Sequence, residues 1–317
     1  MYFTKKTITK LLTQTLKTRQ YAKIRPLDTT PTSNVDSINY CAQIVKSHDY
    51  ENFLATLLMT KALRSPTLVV RAFNVEIARV QDQTTDPQIA MMRMQFWHDT
   101  LKDIYKKDQT LNQVPANPVA QELFKICNVY KLPKRNLQKL IDSRQMLMKA
   151  KYFGSLADLE KYTDDSVSAI YYTILWMAGV QSLHADHAAS HLGKAQGLTN
   201  MLRSIPMSSH YKMVYVPMDL LMKHNISQED VLRCQDSENM RNCTYEIAIS
   251  ANNHLKKARK IGGVPKLANQ IFLPAVAINN YLKKLQKCNF NVFDSSLVHR
   301  SATLPIIYYF MRLCNRY

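Results

Sequence analysis

The stretch LGKAQGLTNMLRSIPMSSHYKMVYVP, residues 192–217, decides the fold. Small and apolar residues recur at three- and four-residue spacing from His187 to Arg203, which is helical periodicity. Ser204-Ile205-Pro206 then stops the run, because proline has no N–H to continue the ladder. No Asp or Glu lies between Asp186 and Asp219, whereas Lys194, Arg203 and Lys212 do. A long helix therefore opens at its C-terminal end into a basic, hydroxyl-bearing turn.

Outward from this helix the same period governs the chain. Glycine is scarce (6 of 317 residues), and few segments alternate apolar and polar as a half-buried strand does. The spacing predicts helices over 40–47, 49–63, 67–81, 87–106, 119–130, 134–151, 155–162, 166–178, 187–203, 238–260, 266–287 and 303–315, with short ones at 218–224 and 227–235. Asp49 is the expected cap of the second helix and Ser65-Pro66 its end. Asp86 caps the helix that begins at Pro87, where the missing N–H costs nothing. Asp164-Asp165 reads as the cap of the apolar helix that follows. No internal repeat is visible, so the fold class is all-α, with one helical bundle over 38–317. The longest apolar run, AIYYTILWMAGV (169–180), is shorter than the roughly 20 residues a membrane span needs.

The formal charge of +18 is uneven. Residues 1–25 hold seven Lys/Arg and no acid, are rich in Thr, and repeat Ile8, Leu12 and Leu16 every four residues. That is the composition of a mitochondrial transit peptide. Residues 26–37, PLDTTPTSNVDS, read as a linker. The remaining charge suits an anionic membrane surface or an acidic partner; no finger spacing, RNP-like strand or long basic block points to nucleic acid. The six cysteines are scattered without a CxxC pair, which reads as reduced thiols and gives no zinc site.

The candidate chemistry is sparse. Asp99 and Asp103 lie one turn apart but share their helix with Lys102 and Lys106, the pattern of a solvated charged face. His184, His187 and His191 share a helical face without an acid or thiol nearby as a fourth ligand, so polar surface is the simpler reading. No GxSxG is present. No metal and no cofactor is expected from these residues.

Five segments, RAFNVEIARVQD (71–82), MRMQFWHDTLKDIY (92–105), DLEKYTDDSVSAIYYTILWMAGV (158–180), the opening stretch, and FLPAVAINNYL (272–282), occur in the order and spacing of squalene/phytoene synthases. The chain resembles that family over about residues 38–290. The resemblance implies an isoprenoid-synthase-like helical bundle around a central cavity, in which two aspartate-rich motifs hold magnesium and diphosphate. The family's first motif is AFCREVDDVVD-like; here Glu76 and Asp82 are kept, and the leading aspartates fall on Ala78 and Arg79. The second is NILRDVxxDxxxGRxYLP-like; here Asn200, Arg203 and Tyr215 match, while the aspartates fall on Ser204 and Ser208. Both motifs are thus degenerate. One carboxylate at Asp82 does not replace several, and Arg79 repels a cation placed beside it. Arg71, Arg79, Arg203 and Lys212 are candidate contacts for an anion.

RAFNVE, MMRMQFW, LTNMLRSIP and YVPMDLL further resemble a mitochondrial branch of that family that acts in assembly of respiratory complex I. This branch implies a non-catalytic protein, a pseudoenzyme in family terms, on the matrix side of the inner membrane. Its partners would be complex I subunits or other assembly factors, with peripheral membrane contact. The alternative is a binder or transferase of altered chemistry that uses the cavity for an isoprenoid or quinone-like lipid. A scaffold is expected to fill the cavity with Met91, Met94, Phe96 and Met201; a binder is expected to keep an apolar tunnel with Arg79 and Arg203 at its mouth.

Overall fold

A computed structural model of the chain describes residues 34–84, 86–108 and 110–317. The targeting stretch expected at 1–25, and all but the end of the linker expected at 26–37, lie outside the described residues. The first helix, α1, spans Asn34–His48, with the acid Asp36 in its first turn, where negative charge suits the helix dipole. It therefore begins four residues before the expected boundary at 38.

The described residues form helices and contain no strand. After α1 come α2 (Tyr50–Leu57), α3 (Lys61–Ala78), α4 (Pro87–Ile104), α5 (Pro118–Tyr130), α6 (Lys134–Ala150), α7 (Leu156–Thr163) and α8 (Ala169–Met177). The helix of the opening stretch is α9 (Leu183–Ser204); α10 (Glu238–Lys260), α11 (Ala275–Lys287) and α12 (Leu304–Leu313) complete the bundle. Shorter helices lie at Ser208–Tyr211, Met218–Lys223, Gln228–Leu232 and Lys266–Asn269.

Several boundaries and caps differ from the sequence expectation. The break near residue 60 replaces the one at Ser65-Pro66, and Pro66 lies inside α3, near its start. Thr60 N–H instead donates to Gln270 Oε1 at 2.8 Å, so a tertiary contact sets this helix start. Asp49 makes no capping bond; it accepts from Asn52 and faces buried Arg71. Asp164-Asp165 caps nothing either, because α7 runs into α8 through a π-helical turn at Asp164–Ser168. The predicted helix 266–287 is interrupted by the turn before Pro274. Asp86 caps α4 as expected, accepting from Gln88 N–H, with Pro87 in the first position.

Helix α9 is the axis of the bundle. Ala185, Ala188, Ala189, Leu192 and Ala195 belong to one apolar core with α1, α3–α6 and α8. Leu198 and Leu202 belong to a second core with α10 and residues 213–231. Two glycines let α9 approach α7–α8 closely. A Cβ on Gly193 would lie 2.1 Å from Ser168 Oγ and 2.6 Å from its Cα, and one on Gly197 would lie 2.3 Å from Thr163 Cβ. Only glycine fits this crossing without displacing backbone.

Candidate functional site

Where α3, α6, the α7–α8 turn and α9 converge, they leave a cavity of about 220 Å³. The end of α3 contributes Ile77, Ala78, Gln81 and Asp82; α9 contributes Gly197, Asn200, Met201 and Ser204. Tyr211 and Tyr215, beyond the Pro206 turn, close another side. Five of the sequence-derived motif residues, Ala78, Asp82, Asn200, Ser204 and Tyr215, are therefore brought together at one wall system. The two segments meet because α3 and α9 both end at this level of the bundle.

The other motif residues lie elsewhere. Glu76 points away and accepts from Tyr40 Oη at 3.2 Å; burial raises its carboxyl pKa above the usual range, against the pull of Tyr40 and Arg79. Arg79 is not part of the lining; its Nε lies 3.9 Å from Asp82 Oδ2. Arg203 forks onto Glu51 with contacts of 2.8 and 3.1 Å and rests on the Tyr281 ring at 4.5 Å. Arg71 is buried, 3.6 Å from Asp49. Ser208 is buried outside the lining, and Lys212 is the left-handed residue that ends the Ser208–Tyr211 helix. The four cations proposed as anion contacts thus do not converge on one point; three of them are engaged with carboxylates of their own.

Asp82 is the single carboxylate among the lining residues, and it is already held. Tyr211 Oη donates to its Oδ1 at 2.6 Å. Burial first, and this hydrogen bond second, push the Tyr211 phenol up to about 12. Magnesium takes a near-octahedral set of oxygens, with carboxylates carrying the charge. One carboxylate, fastened to a phenol and a guanidinium, does not fit that ion. Among the described residues no group of three or more His, Cys, Asp or Glu side chains is placed to hold a metal.

Arg144 of α6 is a lining residue that the sequence did not mark. It donates to the Leu140 carbonyl at 2.8 Å and to Asn74 Oδ1 at 2.6 Å, and burial lowers its pKa. No carboxylate pairs with it among the described residues. Tyr162 beside it has its phenol pKa raised by burial. The cavity is therefore a small mixed site, with one cation, one acid held by a phenol, three phenols and an apolar wall of Ile77, Leu147, Met148, Val167 and Met201. Met201 lines it rather than filling it, Met94 is buried in the core and Phe96 is exposed.

His184 and His187 are exposed, as expected, whereas His191 is half-buried. His191 Nδ1 is 2.8 Å from His254 Nδ1, and His254 Nε2 lies 3.4 Å from Glu160. His187 packs against His191, while His184 is exposed. Asp99 and Asp103 pair with Lys102 and Lys106 on an exposed face, as their spacing indicated.

Comparison with known proteins agrees with this architecture. The chain is 40% identical over 279 residues to the Bos taurus protein named NADH dehydrogenase (ubiquinone) complex I, assembly factor 6, covering 88% of this chain and 82% of that one. The Drosophila melanogaster homolog of the same name is 39% identical over 281 residues, covering 88% and 84%. Among solved structures, squalene synthase HpnC from Alicyclobacillus acidocaldarius superposes with a TM-score of 0.69 at 19% identity, over 83% of this chain and 97% of that one, which establishes the shared fold. Residues 45–303 match the squalene/phytoene synthase family, and the chain belongs to it.

Proposed function

We propose that this protein is a non-catalytic assembly factor for mitochondrial respiratory complex I, built on a prenyl-synthase bundle whose metal-binding aspartates have been replaced. The observation that carries the reading is the single, already fastened carboxylate in the cavity where both motif segments meet. Ionising a prenyl diphosphate needs metal charge to draw off the leaving group, and neither Asp82 nor Arg144 supplies it. The names of the relatives at 39–40% identity support the assembly role. In this reading residues 1–25 direct import, and the protein works at the matrix face of the inner membrane beside complex I subunits or other assembly factors.

The test is loss and rescue in cells lacking the protein. Native gels should show complex I reduced and the other respiratory complexes intact, with recovery on re-expression. The double variant Asp82→Asn/Tyr211→Phe should rescue as well as the wild type. Rescue that requires Asp82, or condensation of prenyl diphosphates by the purified chain with magnesium, would overturn the non-catalytic reading.

A further inference from the structure

We infer, building on the membrane-side placement proposed above, that α12 is an interfacial anchor that lays its outer face on an anionic lipid bilayer. The helix reads LPIIYYFMRL. Leu304 and Tyr308 point inward, into a small core with Ala55, Leu273, Val276 and Ala277. The outer side of a surface helix is ordinarily polar. Here it carries Ile306, Tyr309, Phe310 and Leu313, exposed by 63%, 42%, 53% and 61%. Ile306, Phe310 and Leu313 follow i, i+4, i+7 spacing and form one stripe. None of the four lines the cavity described above. Side chains exposed to this extent stand out from the surface, the geometry of insertion into a lipid interface rather than of a pocket for a peptide.

The charge around the helix selects the kind of surface. Residues 247–317 contain eleven Lys and Arg and a single acid, Asp294. Asp294 is occupied with the Ser296 N–H. Several of these cations are fixed against α12 or its flanks through neutral groups. Lys284 Nζ donates to the His299 carbonyl at 3.0 Å, and Arg300 lies over the Tyr50 ring at 4.5 Å. Arg312 Nε donates to the Leu58 carbonyl at 3.0 Å. None of these three is in an ion pair among the described residues, so their charge is uncompensated. An apolar stripe with cations at both ends matches the acyl boundary and phosphates of an anionic leaflet. A second copy on the same stripe would bring two strongly basic surfaces together, which is unfavourable. No described helix is long and apolar enough to cross a membrane, so the contact is peripheral.

The experiment is flotation of the full chain with vesicles of phosphatidylcholine plus cardiolipin, against vesicles of phosphatidylcholine alone. Binding is expected to the first, weakening as salt is raised. The variant Ile306→Ser/Phe310→Ser/Leu313→Ser keeps every charge, including those in residues 1–25, and should bind at least about tenfold more weakly. Lys284→Gln/Arg300→Gln should weaken binding by about fivefold for each charge removed. The serine variant should keep the wild-type melting temperature, because Leu304 and Tyr308 are untouched. Equal binding by the serine variant, equal binding to neutral vesicles, or a dimer that the serine variant abolishes in the absence of vesicle binding would overturn the proposal. Complex I levels in rescued cells separate the two readings. If the protein supports complex I but fails to bind vesicles, the anchor falls and the assembly role stands. If it binds vesicles but complex I is indifferent to it, the assembly role falls and the anchor stands.

Discussion

Tyr211 Oη donates to Asp82 Oδ1 at 2.6 Å and ties together two segments 129 residues apart in the chain. The bond closes the cavity at the level where α3 and α9 end. Both side chains are partly exposed, so Tyr211→Phe is expected to cost only about 0.5–1 kcal/mol in urea unfolding at neutral pH. The phenol ionises at about 12 in the folded protein against 10 when unperturbed. A raised pKa favours the protonated form on folding, so its contribution is complete below pH 10 and is lost as pH rises through about 12. The stability difference between wild type and Tyr211→Phe should therefore narrow over that window, measured by denaturant titration at stepped alkaline pH.

Arg144 and Asn74 act as one unit. Arg144 bridges the Leu140 carbonyl and Asn74 Oδ1 inside the cavity wall. Arg144→Met should destabilise by about 1.5–3 kcal/mol, the range for a hydrogen bond to a charged group. Asn74→Ala added to it should cost less than it does alone. A double-mutant cycle by chemical unfolding should return a coupling of about 1–2 kcal/mol, whereas additive effects would show that the two side chains stabilise the fold independently.

At the α9 crossing, Gly193→Ala forces a methyl against the Ser168 backbone. Overpacking of this kind costs about 1–3 kcal/mol, and here backbone must yield. Gly262, with open space around its Cα, is the control; Gly262→Ala should leave the melting temperature level or slightly raised. Parallel thermal scans of the two variants decide the point.

The His191–His254 contact makes a pH prediction. Burial first, then the charges of His254, His187, Lys257 and Lys194, lower the His191 pKa to about 4 from 6.5. A depressed pKa favours the neutral ring on folding, so its contribution is complete above pH 6.5 and is lost as pH falls through about 4. Between pH 7 and pH 5 the wild type should lose more stability than His191→Gln. Proton NMR of the imidazoles should show one ring that stays neutral well below the others.

The sequence carried the helical class and the Asp86-Pro87 start, because each depends on local periodicity or capping; the pairing of the 78–82 and 200–215 segments came from the family resemblance alone. What it did not carry depends on partners distant in the chain. Asp49 reads as a cap until Arg71 is placed against it, and Asp164-Asp165 reads as a cap until Ser190 and Lys139 supply their partners. Arg203 reads as a free anion contact, yet its fork is taken by Glu51, 152 residues away. Arg144 sits in a stretch that no motif distinguishes, and Tyr162 and Tyr211 lie in family-like segments at positions those motifs do not mark; only the packing of α6, α7 and the Pro206 turn brings them to the cavity.

The close crossing at Gly193 and Gly197 has a consequence for how this bundle accommodates change. The α9 main chain meets Ser168 and Thr163 directly there, so no side chain of α9 sets the gap to the α7–α8 bend. The distance between the opposing walls above that point is fixed by a rigid joint. Side chains at 78, 82, 200 and 204 can then be exchanged as interchangeable panels, altering what the chamber recognises while its dimensions stay constant. Dimension and recognition are independent variables in this architecture, and a single frame can pass from one task to another without being rebuilt.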